Sequence, residues 1–259
     1  MRLMTTNYCS EDATVITASS EDPLFPASNL KHKFRSKRWR STDVSSEWVV
    51  FDLQTTEAID SVVLLWPKED GIRLSGSAVV KIQANATNVW TSPAVDQTLT
   101  IDNTYVLASH FFSSDQSYRY WRVWIQDSGN ANGFVELGVV WLGKGLSIPN
   151  AQNGFKFELH DGTKTTRTDF GHMYGDEYPE YAVLTFIYKV MDYADIQTLE
   201  NAYRQNGTKS PVIVALDPLA SVFNKNHFLV YGLFGNVFGL QHTMYNILDT
   251  ANQVVTELA

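Results

Sequence analysis

Short apolar or alternating segments, separated by turn residues, fill the chain from residue 10 to residue 143. Their length and their content of Val, Ile, Trp and Tyr are typical of β-strands. They lie at 48–53, 58–66, 78–85, 105–112, 118–127 and 133–143. The stretches between them, such as "PKEDG" and "DSGNANG", are rich in residues that favour turns. This spacing, with no amphipathic helix between the strands, predicts a β-sandwich.

The pattern changes after residues 143–154, a segment rich in Gly and polar residues that we interpret as a domain junction. Further strands are predicted at 154–162, 181–189, 211–217, 228–235 and 243–249. The sequence therefore predicts a mainly β protein with two domains, one at 1–145 and one at 150–259.

The second domain contains the one clear helical pattern of the chain, predicted at about 192–206. Asp192 is the predicted N-cap, and Gly207 is the predicted terminating residue. An apolar stripe of Ile196, Leu199 and Tyr203 would face the rest of the domain. We therefore expect a β-rich α+β domain with one helix.

Composition gives no signature of catalysis or of a cofactor. Cys9 is the only cysteine, which excludes an internal disulfide and an all-Cys metal site. The six histidines lack the spacing that lets two imidazoles share a metal, and no nucleophile motif is present. We therefore expect no enzyme activity and no cofactor. The sequence also shows neither a membrane-spanning stretch nor a signal peptide, so we expect folding in a cytoplasm.

A local run of positive charge stands out because the chain as a whole carries a net charge of −8. Residues 31–40 contain six Lys or Arg, and four of them occur at every second position, which places them on one face if the segment is extended. The residues of this candidate protein-docking face are Lys31, Lys33, Arg35, Lys37 and Arg38. One alternative is that these cations protect a sheet edge from aggregation, and another is nucleic-acid binding, which the acidic total disfavours.

Aromatic residues supply two further candidate sites. Trp66 and Trp90 are each followed by a turn, where an exposed indole could stack on a sugar, so they are candidate glycan contacts. The other five Trp lie within strand patterns, where core packing is the default. Tyr174, Tyr178 and Tyr181 lie in or beside a long polar loop and are the candidate oligomer interface, because Tyr is enriched at such interfaces.

The segments "FPASNL", "RWRST", "EWVVFDL", "RYWRVWI" and "FVELGVVWLG" occur in that order in the first half. In this order they resemble the discoidin, or coagulation-factor C-type, galactose-binding-like domain. The resemblance implies a jelly-roll sandwich with Trp39 in its core. Discoidin-type modules sometimes hold calcium in a loop, and Glu21 with Asp22, or Glu69 with Asp70, could supply carboxylates. Solvated turn acids are the alternative.

The second half, through "YAVLTFIYKVMDYADIQTLENAYRQNG", "PVIVALDP" and "LVYGLFG", looks like the ring-forming domain of distal-tail and baseplate proteins of bacteriophages. This resemblance implies a structural ring subunit of a tail tip, which links the tail tube to tip or receptor-binding proteins. It implies a cyclic homo-oligomer, six-fold or less favourably three-fold, that assembles in the bacterial cytoplasm and resides in the virion. The alternative function is a carbohydrate-binding module that recognises a host-surface glycan.

Overall fold

The computed structural model describes residues 1–68, 74–146, 155–189, 191–219, 222–244, 247–250 and 252–258. Its strands up to the junction are β1 (Arg2–Met4), β2 (Val15–Ala18), β3 (Trp39–Arg40), β4 (Glu47–Leu65), β5 (Val79–Asn85), β6 (Val95–Leu99), β7 (Ile101–Asp102), β8 (Leu107–Gln126), β9 (Glu136–Leu137), β10 (Val139–Gly143) and β11 (Gly145–Leu146). Two short 3-10 segments, Tyr8–Ser10 and Ala27–Lys31, precede β3.

The later elements are β12 (Lys156–His160), β13 (Lys164–Arg167), β14 (Met173–Asp176), β15 (Tyr181–Phe186), α1 (Tyr193–Asn206), β16 (Val212–Ala215), α2 (Val222–His227), β17 (Leu229–Phe234), β18 (Leu240–Met244), β19 (Ile247–Thr250) and β20 (Gln253–Glu257). The protein is therefore mainly β, as predicted. Among the described residues, no helix is long and apolar enough to cross a membrane.

The chain forms two compact units that are not contiguous in sequence. The sandwich unit comprises Met4–Leu146 and Asp217–His227, and the C-terminal unit comprises Met1–Leu3, Ser147–Leu216 and Phe228–Ala259. The sequence predicts contiguous domains at 1–145 and 150–259, so two short segments, Met1–Leu3 and Asp217–His227, group differently from the prediction. Most of the predicted junction, residues 147–154, lies outside the described residues.

The sandwich unit is organised by two long strands, β4 and β8, that pair twice. Glu47–Asp52 pairs with Tyr120–Ile125, and after register shifts Ser61–Leu65 pairs with Leu107–Phe111. The first pairing lies at the centre of the order β2-β4-β8-β5-β6, and the second is flanked by β10 and β7. Each long strand covers two segments that the sequence predicts as separate strands, and each contributes to both parts of the sandwich.

Alternation along these strands separates a core face from an outer face. On β8 the side chains of Trp121, Val123 and Ile125 are fully buried, as the period of two requires for one face of a strand. Trp39 is also fully buried, and its Nε1 donates to the carbonyl of Ser20 at 2.9 Å. The core position that the discoidin resemblance implies for Trp39 is therefore confirmed.

The strands of the C-terminal unit lie in the order β1-β16-β17-β20-β15-β12, while β13 and β14 pair as a separate hairpin. The predicted helix is confirmed as α1. The Asp192 side chain accepts from the backbone N–H of Asp195 at 2.8 Å, which caps the first turn. Gly207 ends the helix with a φ of +50°, a conformation that favours glycine. The short helix α2 belongs to the sandwich unit, so α1 is the one helix described in the C-terminal unit.

Candidate functional site

The basic segment is not an extended strand, so its alternation does not produce a charged stripe. A 3-10 segment ends at Lys31, turns follow, and the next strand begins only at Trp39. Arg35 is 2% exposed, and its guanidinium donates to the main-chain carbonyls of Trp66, at 2.9 and 2.6 Å, and Val106, at 3.1 Å. Arg35 therefore connects three loops of the sandwich unit and has no part in an exposed docking face.

Two further arginines of the run, Arg38 and Arg40, converge on a buried carboxylate. Their Nε atoms lie 2.9 Å and 2.7 Å from Oε1 of Glu136. The Arg40 guanidinium also lies between two rings, 4.2 Å from the centroid of Phe25 and 4.1 Å from that of Phe134. A buried carboxylate needs such partners because its desolvation is costly. Arg38 and Arg40 thus hold the loop against β9.

The three lysines of the run lie in different surroundings. Lys31 Nζ donates to the carbonyl of Asp12 at 2.9 Å, Lys33 Nζ lies 5.5 Å from the ring centroid of Phe34, and Lys37 is exposed. The sequence did not predict that these arginines form buried contacts, because arginine side chains are mostly exposed. A docking role for the lysines stays a prediction.

Trp66, the first of the two candidate glycan contacts, is 3% exposed and packs in the hydrophobic core of the sandwich unit. Its backbone N–H donates to the carbonyl of Val106 at 3.0 Å, which holds the residue at the end of β4. The turn residues that suggested exposure follow Trp66 in the sequence, and the indole of Trp66 itself packs in the core. Trp66 therefore cannot serve as an exposed stacking platform, and this prediction is corrected.

Trp90, the second candidate, lies partly exposed in the loop between β5 and β6. Its Nε1 donates to Oδ1 of Asn88 at 2.7 Å, which fixes the indole within the loop. The guanidinium carbon of Arg122, from the outer face of β8, lies 4.5 Å from the ring centroid. This cation–π contact orders the indole against the sheet.

A hydrogen-bonded network continues from Arg122 across the outer face of the sheet. Arg122 Nε donates to Oε1 of Gln83 at 2.7 Å, and Gln83 Nε2 donates to Oδ1 of Asp96 at 3.0 Å. Lys81 Nζ completes the network on Oδ2 of Asp96 at 3.0 Å. The hydrogen bond from Lys81, helped by that from Gln83, lowers the pKa of Asp96, so this carboxylate is ionised at neutral pH. Burial lowers the pKa of Arg122, but an arginine remains charged.

More aromatic side chains share this face. Trp48 on β4 lies directly opposite Trp124 on β8, and Trp124 Nε1 donates to Oγ of Ser46 at 3.1 Å. Tyr120 lies four residues before Trp124 on the same side of β8. All three are partly exposed. We call the following set the aromatic face: Trp48, Lys81, Gln83, Trp90, Asp96, Tyr120, Arg122 and Trp124.

Sequence reasoning missed most of the aromatic face because it assigned Trp residues within strands to the core. The alternation of side chains along β8 could have predicted this face from the sequence. Trp121 and Trp124 are three residues apart, so in one strand they must point to opposite faces. Only one of them can be in the core, and it is Trp121.

The three tyrosines of the candidate oligomer interface lie in different surroundings in the structure. Tyr174 on β14 is 65% exposed and Tyr178 is 50% exposed, with Lys164 Nζ at 5.3 Å from the Tyr178 ring centroid. Tyr181 instead lies within the sheet on β15, where its ring stacks on His160 at 5.3 Å. Tyr174 and Tyr178 therefore remain on an exposed segment, and Tyr181 does not.

The turn carboxylates proposed for calcium are partly used by the main chain. Glu21 Oε2 accepts from the N–H of Ala27 at 2.8 Å, and Asp22 Oδ1 accepts from that of Leu24 at 2.9 Å. Glu69 and Asp70 lie outside the described residues. Within the described ranges, no three His, Cys, Asp or Glu side chains are grouped so that they could hold a metal ion.

Comparison with known proteins supports the first resemblance. Residues 15–137 match the family model of the F5/8 type C domain, so the discoidin-like identity of this segment is confirmed. No curated protein matches the chain. The resemblance of the second half to tail-ring domains stays a prediction.

Solved structures similar to the chain include carbohydrate-binding modules. One is the family 32 module of C. perfringens NanJ in complex with galactose, with 14% identity, a TM-score of 0.43, and coverage of 56% of this chain and 100% of that chain. A second is the lectin domain of lectinolysin complexed with Lewis B antigen, with 17% identity, a TM-score of 0.44, and coverage of 53% and 96%. A third is a fucose-binding module of Streptococcus pneumoniae, with 15% identity, a TM-score of 0.43, and coverage of 54% and 98%.

Proposed function

We propose that the sandwich unit binds carbohydrate at the part of the aromatic face formed by Trp90, Arg122 and Asp96. The observation that supports this proposal is the partly exposed indole of Trp90, which is fixed beside an ordered network of hydrogen-bonding side chains. A sugar ring has apolar C–H faces and polar hydroxyl edges, so it needs an aromatic surface and oriented polar groups at the same place. The match to the F5/8 type C domain supports a binding role for this unit.

The charges of this site suit hydroxyl groups. Asp96 is an acceptor already held by Lys81 and Gln83, so a sugar hydroxyl can donate to it without reorganising the carboxylate. Arg122 uses Nε on Gln83, and its Nη groups have no hydrogen-bond partner among the described residues. The site thus offers an ionised acceptor and charged donors beside one ring, and charge-assisted hydrogen bonds are the stronger kind.

A glycan array followed by titration calorimetry on the strongest hit tests this proposal. We expect Trp90→Ala to weaken binding about tenfold or more, since it removes the stacking surface. The matched control is Val89→Ala, which shortens the neighbouring exposed side chain of the same loop and should leave affinity unchanged. Both variants should melt with the parent. If Trp90→Ala folds normally and binds the same glycan as tightly as Val89→Ala, Trp90 is not the site.

A second candidate function is self-assembly into a ring at a bacteriophage tail tip, and the β13–β14 hairpin favours it. Every residue of both strands is exposed. Phe170, at the turn, is 93% exposed, and Met173 is 68% exposed. An isolated two-stranded hairpin is marginally stable in water, so packing against another protein would stabilise it. We propose a second copy as that protein, in a cyclic oligomer with six-fold order favoured over three-fold, located in the virion and contacting other tail proteins.

Light scattering after size exclusion tests the self-assembly proposal. The double variant Phe170→Ser with Met173→Ser should release monomers, because it removes the exposed apolar side chains of the hairpin. Thr165→Ser on the paired strand is the control and should leave the assembly intact. A parent protein that remains monomeric at the highest soluble concentration would remove the ring proposal without affecting carbohydrate binding.

A further inference from the structure

The aromatic face extends well beyond the indole of Trp90. Tyr120, Arg122 and Trp124 are spaced by two residues on β8 and so point to the same side. At the rise of an antiparallel strand, Tyr120 and Trp124 are about 14 Å apart along β8. Trp48 widens the far end, since it lies beside Trp124 on the adjacent strand. The surface is therefore longer than a single sugar ring.

Polar groups without partners are distributed along the same length. Three polar positions of the face have no hydrogen-bond partner among the described residues: the Nη groups of Arg122, the Tyr120 hydroxyl and Trp48 Nε1. The Tyr120 hydroxyl and Trp48 Nε1 lie at opposite ends of the face, on either side of Arg122. A ligand that satisfies all three positions must present polar groups at intervals and apolar surface between them. An oligosaccharide has this alternation because each ring has a C–H face and a hydroxyl edge.

We propose that the aromatic face binds a linear oligosaccharide of β-1,4-linked pyranose rings that lies along β8 and spans at least three rings. This proposal rests on the carbohydrate-binding function proposed above and specifies its ligand class. Equatorial β-1,4 linkages produce a flat ribbon whose ring faces can follow a sheet surface. A compact or branched epitope would reach only one end of the face.

The composition of the surface favours a sugar over a protein. On the outer face of β4 and β8 the aromatic side chains Trp48, Tyr120 and Trp124 are partly exposed, whereas the aliphatic Val50, opposite Arg122, is only 3% exposed. Val15, at the end of β2, is an aliphatic side chain that is more than half exposed. The lysine and arginine side chains of the face are held by Asp96, Gln83 and Trp90. Protein interfaces instead lose charged residues from their centres. A face of aromatic rings and ordered charges fits hydroxyl-rich rings better.

Calorimetric titration of the full-length protein with two linear series tests the ligand class. The probes are β-1,4-linked glucose and β-1,4-linked N-acetylglucosamine oligomers of increasing length, from one ring to six. In at least one series we expect affinity to rise about tenfold between the disaccharide and the tetrasaccharide and then to level off, because each added ring reaches a further aromatic contact.

Two variants locate the added rings. Trp48→Ala and Tyr120→Phe should lose most of the gain from chain length and leave disaccharide binding at Trp90 unchanged. Trp90→Ala should weaken every member of the series. Thr165→Ser, on the exposed β13–β14 hairpin of the C-terminal unit, is the control, and thermal melting checks that all variants fold.

The outcomes separate this proposal from the proposed function. Equal affinity for one ring and for six, or binding only to branched glycans, overturns the linear ligand and leaves carbohydrate binding in place. Failure of every sugar in the array and in both series overturns both. A change of oligomeric state in Trp48→Glu would show that the face is covered by a second copy of the chain, and this result also overturns the proposal.

Discussion

The buried side chain of Arg35 shows that part of the basic run has a structural role. The Arg35 guanidinium donates to the main-chain carbonyls of Trp66 and Val106, which belong to two other loops, and the Val106 carbonyl also accepts from the Trp66 N–H. We expect Arg35→Met to lower the free energy of unfolding by about 3 kcal/mol, since it removes the charged hydrogen bonds to the buried Trp66 carbonyl, while the Val106 carbonyl keeps the Trp66 N–H as a donor. Lys37→Met, an exposed change in the same run, should stay within about 0.5 kcal/mol of the parent. Urea unfolding followed by Trp fluorescence measures both, and equal midpoints would show that Arg35 does not hold the loops.

His110 provides a second test at the residue scale, through the pH dependence of stability. Burial lowers its pKa, and the nearby Lys225 cation lowers it further. In the unfolded chain a histidine has a pKa of about 6.5, so acidification below that value protonates the unfolded chain first and reduces stability. The urea midpoint should therefore fall between about pH 7.5 and pH 5.5.

The variant His110→Gln isolates this contribution, because the other histidines remain in it. The fall in midpoint between the two pH values should be smaller in His110→Gln than in the parent. His172→Gln, a change on the exposed hairpin turn, is the control and should retain the full fall. A fall of the same size in all three proteins would exclude His110 as its cause.

At the scale of elements, local signals predicted what local interactions determine. The sequence predicts the helix at about 192–206 and the structure has it at Tyr193–Asn206, because its limits are set by Asp192 and Gly207 within the segment itself. The long strands were not predictable in the same way. The sequence predicts two strands where β4 is continuous, because the polar residues after Leu53 interrupt the apolar pattern. The backbone continues through them with register shifts and a positive φ at Gln54, supported by pairing with β8.

The candidate sites follow the same division. The exposure of Tyr174 and the partial exposure of Trp90 agree with their turn and loop settings in the sequence. The burial of Trp66 and Arg35 depends on which distant loops cover them, and no local pattern contains that information. The aromatic face is an intermediate case. Strand parity separates Trp124 from Trp121, but pairing with β4 and β5 is needed to bring Trp48 and Lys81 beside it.

At the scale of the whole molecule, the sandwich unit is completed by a segment from far along the chain. Asn226, in α2, is 1% exposed, and its Oδ1 accepts from Oγ of Ser109 at 2.9 Å. Its Nδ2 donates to Oδ2 of Asp102 at 3.2 Å, and Lys225 Nζ donates to the carbonyl of Ser109 at 2.9 Å. A fragment that ends at residue 146 lacks these bonds, although it contains every strand of the sandwich from β2 to β10.

We therefore expect the fragment 4–146 to melt at a lower temperature than the same fragment with residues 217–227 attached through a flexible Gly/Ser linker. In the linked fragment, Asn226→Ala should remove about 1–3 kcal/mol of stability, because it removes the hydrogen bond to the buried Ser109 hydroxyl on β8 and that to the partly buried Asp102 on β7. Leu219→Ala in the same segment is the control, since Leu219 is 88% exposed and its loss should have no measurable effect. Scanning calorimetry measures the melting temperatures of the four proteins, which are the fragment 4–146, the linked fragment and its two variants. If the linked and unlinked fragments melt together, residues 217–227 add nothing to the sandwich, and the contiguous division predicted from the sequence describes its stability better than the structural one.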